Sequence, residues 1–243
     1  MSEAKKPRRP ASGYARGEET RLRIIKAAIE RFGELGFESA STRDIAQRAG
    51  VNAPALQYYF ASKEGLHQAC AEYIVDDALT IFAPAMEHAR AVLASNPSDE
   101  ALIDAFLQIQ GAIADKILTE TREVDTRMFF AREQAGYEPS TTSDIIQKRL
   151  RDPLNKLCAQ LVGNISGVAP DDPLTMTRTL SLNGQFLVFH IMRRQTFSGR
   201  GVKALKPEQI KTTIQAQTRT LLQVWCNEKQ AQSRSATPSK PKN

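Results

Sequence analysis

A chain of 243 residues with 41% hydrophobic side chains and a net charge of +6 has room for one large domain or for two smaller ones, and that composition excludes disorder throughout. No run of about 18 uninterrupted apolar residues occurs and the N-terminus carries no apolar signal segment, so neither a membrane span nor export is expected and the cytoplasm is the expected compartment. Cys70, Cys158 and Cys226 are isolated and lack CxxC spacing, which suits reduced core thiols.

The charge is unevenly spread. Residues 1–63 hold 12 Lys/Arg against 7 Asp/Glu and residues 227–243 hold 4 against 1, which leaves the middle, residues 64–226, at −2. A basic head on a slightly acidic body fits a head that meets a polyanion and a body with another task; a solvated basic tail is the plainer reading.

Met1 to Gly17, with Lys5, Lys6, Arg8, Arg9 and Arg16 among small residues and two prolines, reads as a disordered basic arm. From Thr20 the pattern turns helical: Ile25, Ala28, Ile29, Phe32 and Leu35 recur at three and four until Gly36 ends the run. Thr42 to Lys63 then reads as two short helices around a tight turn. Ser41 can cap the first, with Asp44 three residues on; Gly50 accepts the left-handed backbone of a helix end, and Val51 returns to the core. Pro54 sits in the first turn of the second helix, with either Asn52 or Ala53 as its cap. Leu56, Tyr59 and Phe60 give that helix its apolar side. Ala53, Ala55, Gln57 and Tyr58 face the other way, and such small, amide and hydroxyl groups suit base edges and phosphates.

Arg43-Asp44-Ile45-Ala46, Ala49-Gly50-Val51, Leu56, Tyr58-Tyr59-Phe60 and Ser62-Lys63-Glu64-Gly65-Leu66 resemble the DNA-binding domain of the TetR family of transcriptional repressors, over about Thr20 to Leu66. Many members carry tyrosine where this chain has Gln57, so no relative's operator can be carried over. The DNA-facing set is Thr42, Arg43, Asn52, Ala53, Pro54, Ala55, Gln57, Tyr58, Tyr59 and Lys63. Within it the amide of Gln57 can pair bidentately with adenine, and Ala53, Pro54 and Ala55 would allow close approach and touch thymine methyls. The resemblance implies phosphate contacts for Thr42, Arg43, Tyr58, Tyr59 and Lys63, although the Tyr59 ring also reads as core.

Ser62 can cap a fourth helix that ends near Phe82 or kinks at Pro84. Asn96-Pro97-Ser98 breaks the chain before an amphipathic run from Asp99 to Leu118. Val124 to Ala135 follows, then Thr142 to Val162 with a bend at Pro153, then helices Pro173–Arg194 and Pro207–Trp225, and a disordered tail from Asn227. Strand signals are absent. The expectation is an all-α protein: arm 1–17, helix-turn-helix domain 18–66, larger helical effector-binding and dimerisation domain 67–226, tail 227–243.

Met128 to Glu133, and Asn183-Gly184-Gln185-Phe186 with Phe189 and Arg193, also resemble the C-terminal domain of the CecR-like subgroup of that family. The resemblance implies a small-molecule effector, unidentified, in a pocket among the body helices. Candidate lining residues are Arg127, Met128, Phe130, Asn183, Phe186 and Phe189, with ordinary core as the other reading of each apolar one. It also implies a homodimer through the last two long helices. His67, His88 and His190 are scattered and no HExxH, GxSxG, Gly-rich phosphate loop or Cys/His metal spacing occurs, so no cofactor, metal or catalytic role is expected. The expected function is a dimeric repressor released from a palindromic double-stranded DNA operator by its effector. An activator or a ligand-independent regulator is the alternative, and an all-helical enzyme or small-molecule carrier has only the generic body behind it.

Overall fold

The computed structural model describes residues 11–119, 126–186, 189 and 206–235. Among these the chain is helical, without strands: α1 Ala11–Ser39, α2 Thr42–Arg48, α3 Ala53–Tyr59, α4 Lys63–Ala94, α5 Asp99–Ala114, α6 Arg127–Gln134, α7 Ser140–Ile146, α8 Asp152–Ser166, α9 Pro173–Gly184 and α10 Pro207–Ser235. No described helix is long and apolar enough to cross a membrane. The helices fall into two compact units. The first comprises residues 1–74 and 122–145, the second residues 75–121 and 146–243.

The first unit, the head, is built on α1. Ile24, Ile25, Ala28, Ile29 and Phe32 turn one stripe inward and are buried, together with Ile45 and Ala46 of α2, Leu56 of α3, and Leu66, Cys70 and Ile74 of α4. The helical path of α1 breaks at Gly36, whose φ of 82° is left-handed, and Phe37 folds back so that its ring lies 5.9 Å from that of Phe32. The core is then closed from far along the chain. Phe129 of α6 is 1% exposed within the same cluster, and burying such a side chain stabilises by about 1.5–3 kcal/mol. Its ring lies 4.7 Å from the imidazole of His67, which Phe32 and Phe37 flank at 4.6 Å and 5.1 Å. The expected boundary at residue 66 therefore moves: the head takes in the start of α4 and the α6–α7 segment.

In the second unit α5 packs on α8 and α10, burying Ile103, Phe106 and Ile113 with Leu157, Leu161, Ile214 and Leu222. Ion pairs stitch α5 to α10: Arg219 to Glu100 and, at 2.5 Å, to Asp104, and Lys229 to Asp99 at 2.5 Å. Cys70, Cys158 and Cys226 are free and buried, and burial pushes the Cys158 thiol up to about 12, so none presents a reactive thiolate.

Several elements depart from their expected bounds. α1 starts at Ala11, so residues 11–17 are helix rather than arm; extending a formed helix needs no new nucleus, and Thr20 Oγ1 donates to the Arg16 carbonyl at 2.9 Å. Residues 1–10 lie outside the described residues. α10 continues past Asn227 to Ser235, because Lys229 also bonds the Asn164 carbonyl and Gln230 reaches Asp99. α4 runs unbroken through Pro84, with Phe82 and Met86 buried on either side. Where one bent helix was expected, a π turn at Gln147–Arg151 separates α7 from α8 and leaves Pro153 in a first turn, where its missing N–H costs nothing. α9 is described to Gly184; the expected stretch on to Arg194 lies, except for Gln185, Phe186 and Phe189, outside the described residues.

Burial first, and the Lys63 cation second, lower the pKa of His67 to about 4, so the ring is neutral at pH 7. Its contribution to stability is complete above its ordinary value of 6.5 and is lost as the pH falls toward 4. Glu138, pushed up by burial, works in the opposite sense through a smaller shift. Lowering the pH from 7 to 5.5 should cost the protein about 1 kcal/mol through His67. Denaturant melts of wild type and His67→Gln at both pH values check this; an equal pH effect in the two proteins contradicts it.

Candidate nucleic-acid interface

The reading helix is made by its two ends and its back. Asn52 is the cap: its Oδ1 accepts the Ala55 N–H at 2.9 Å, and Ala53 and Pro54 form the first turn. Ser41 caps α2 in the same way through the Asp44 N–H at 3.1 Å. Between them Gly50, at φ 66°, turns the chain, and a Cβ there would meet nothing, so the demand for glycine comes from the backbone alone. Leu56 and Phe60 anchor α3 to the core at 2% and 6% exposure.

With its back fixed, α3 presents its other side to solvent. Ala53, Pro54, Gln57 and Tyr58 are exposed there, Tyr58 to 84%, with Ala55 half-buried between them. On α2, Arg43 is exposed and Thr42 half-buried at the first turn. This part of the expected set does lie together on one face. The rest is tied inward. Tyr59 is half-buried against the core, and a Cβ at Gly17 would lie 3.8 Å from its hydroxyl, so the ring spans back toward α1. Lys63 donates to the Glu38 carbonyl at 3.1 Å and lies over the Phe37 ring at 4.6 Å, which leaves two ammonium donors for any phosphate. Asn52 is committed through its carbonyl oxygen and keeps its NH2.

Two ion pairs brace this frame: Arg48 with Glu30 at 2.5 Å and Arg31 with Asp44 at 3.9 Å join α2 to α1. Neither was singled out in the sequence, where charges 18 and 13 positions apart carry no spacing signal.

The six candidate effector residues do not share one unit. Arg127, Met128 and Phe130 belong to the head, where Phe130 packs against its core and Met128 is exposed; Asn183, Phe186 and Phe189 belong to the second unit. The apolar stripe of α6 serves the head because Phe129 must lie under His67. In the second unit Phe186 is fully buried, and both polar atoms of the Asn183 amide are buried, with the Cys158 thiol as their polar neighbour.

Residues 24–70 match the family of bacterial regulatory proteins of the tetR type, and residues 102–224 match the C-terminal domain of the HTH-type transcriptional dual regulator CecR. The CecR dual regulator of Shigella flexneri is 31% identical over 211 residues, spanning 86% of this chain and 93% of that protein. RaaS, an HTH-type transcriptional regulatory protein of Mycobacterium tuberculosis, is 46% identical over 55 residues, 23% of this chain and 26% of its own. Among solved structures, AibR in complex with isovaleryl coenzyme A and operator DNA superposes with a TM-score of 0.58 at 15% identity, covering 82% of this chain and 97% of AibR. A TetR-family regulator from Bordetella parapertussis gives 0.55 at 20% identity over 84% and 94%. At these identities the two structures speak for the fold.

Gln57→Ala should cost about 1–3 kcal/mol on specific DNA and relax preference at the base pair it meets. Arg43→Ala should weaken all sequences alike and lower the salt slope by roughly 0.9 per lost phosphate contact. Binding to specific and scrambled duplexes across a salt series checks both, and equal losses on the two duplexes for Gln57→Ala would remove it from the readers.

Proposed function

The chain belongs to the TetR family of bacterial transcriptional regulators, with a C-terminal domain of the CecR type, and from that premise we propose that it is a dimeric, effector-released repressor acting in the cytoplasm. It is a DNA-binding regulator rather than an enzyme. The observation that carries the proposal is α3: capped at Asn52, anchored by Leu56 and Phe60, and free on the side that bears Gln57 and Tyr58. Such a helix enters the major groove, and two protomers read half-sites roughly 34–36 Å apart on a palindrome.

Leu174 and Leu180 of α9 and Leu221 and Val224 of α10 are 42–51% exposed, and they supply the dimer face. Leu180 also lines an open groove of about 730 Å³ between the π turn, α8 and α9, so this side of the single chain is incompletely filled. Effector binding in the second unit is supported by the buried Asn183 amide, whose polar neighbour is only the weak Cys158 thiol, and by AibR, which has been solved with a small ligand and operator DNA together. The effector favours a state whose reading helices no longer match the half-site spacing, and it lowers affinity by its differential binding to the two states. The Shigella flexneri relative is a dual regulator, which favours activation at some promoters as the second reading.

Leu180→Glu combined with Leu221→Glu should give helical monomers whose operator affinity falls on the order of 100-fold, because the second half-site contact is no longer intramolecular. Sedimentation and DNA titration check this. A double variant that still sediments as a dimer places the interface elsewhere.

A further inference from the structure

We infer that Arg132 and Glu138, which lie far outside the helix-turn-helix in sequence, are positioning residues for DNA reading: they fix the corner between α1 and α2 from which the reading helix is carried. The inference rests on the DNA-reading assignment above for its readout.

α1 loses its helical path at Gly36. Beyond the break the Gly36 carbonyl still accepts the Ala40 N–H at 3.1 Å, while Arg132 bonds the two carbonyls that lie just before it. Its Nε donates to the Gly33 carbonyl at 2.9 Å and its Nη2 to the Glu34 carbonyl at 3.3 Å. From α4, Lys63 holds the Glu38 carbonyl of the same corner. The chain enters α2 at Thr42, so what holds this corner also sets the direction of α2 and α3 relative to α1.

The seat of α6 is shaped by a glycine. A Cβ on Gly33 would come within 3.1 Å of the Phe129 nitrogen and 3.2 Å of the Met128 Cβ, so α6 lies directly on the α1 backbone. Arg132 and Glu138 both lie over Gly36, where a Cβ would come 2.9 Å from Arg132 Nη1 and 3.8 Å from Glu138 Oε1. Glu138 is the countercharge of Arg132 there, in a site where burial pushes its own pKa up. It also approaches His67 Nε2 at 3.1 Å without the alignment of a hydrogen bond, and His67 Nδ1 lies 2.7 Å from Thr142 Oγ1 of α7. A row of polar groups thus runs from the α1 carbonyls past Arg132, Glu138 and His67 to Thr142, hydrogen-bonded at its two ends and coupled by charge alone at Glu138, beside Phe32, Phe37 and Phe129. Apolar side chains of similar volume would stabilise that core at least as well. What the polar row adds is a single geometry, because a misplaced partner leaves a buried charge alone.

The test uses the full chain as Arg132→Ala, Glu138→Gln, Gly33→Ala and the control Gln57→Ala. Each is titrated against a duplex that the wild type enriches from a randomised pool and against a scrambled duplex. Titration at saturating protein counts the competent sites, so a folding defect appears as lost sites, while the affinity of the remaining sites reports positioning. Arg132→Ala and Gly33→Ala should lose roughly tenfold on the enriched duplex and little on the scrambled one, since scrambled binding rests on phosphates alone. Glu138→Gln, which keeps the shape and removes the countercharge, should fall between. Wild-type affinity in the competent sites of these variants overturns the inference, as does an equal loss on both duplexes. If Gln57→Ala keeps full discrimination, the reading assignment has failed instead, and the two failures are told apart.

Discussion

The helix-turn-helix stretch is too short to bury a core of its own, and much of the head follows from that. Phe32, Phe37 and the His67 ring present an apolar side, and Phe129 covers it from α6. With the core completed from elsewhere in the chain, α3 gives only Leu56, Phe60 and part of Tyr59 to packing and keeps a whole side for a partner.

Charge and shape divide the work on that face. The excess of basic residues in the first 63 supplies attraction to phosphates at any sequence, which is long-ranged and screened by salt. The outer side of α3 carries no cation at all: alanines, a proline, an amide and a phenol present small, directional groups that act only at contact. Discrimination therefore depends on how accurately the helix is held, and the frame around it is correspondingly braced by the Asn52 cap, the Gly50 turn and the ion pairs from α2 to α1.

What was legible in the sequence was local. The Ser41 cap, the glycine at 50, the proline in the first turn of α3 and the 3.6-residue stripe of α1 each act within a few residues, so they could be read directly. The choice of Asn52 over Ala53 as cap needed coordinates, because either satisfies the spacing. Ownership of α6 was hidden for a deeper reason: a stripe such as Phe129-Phe130 says that a side is buried and not against what. The helical stretches at 11–17 and 227–235 were missed because they carry no stripe. Single polar bonds, such as Lys229 to Asp99 and to the Asn164 carbonyl, hold the second of them, and these join residues 130 and 65 positions apart. The π turn before Pro153 likewise replaces a bend that the proline alone only located.

The most direct test of the account is the DNA that the full chain enriches from a randomised duplex pool. The account predicts a two-fold symmetric consensus whose half-site centres are roughly 10–10.5 base pairs, or a multiple of that, apart, with enrichment lost at high salt. Recovery of a pool without consensus, at affinities that depend on salt alone, would contradict it.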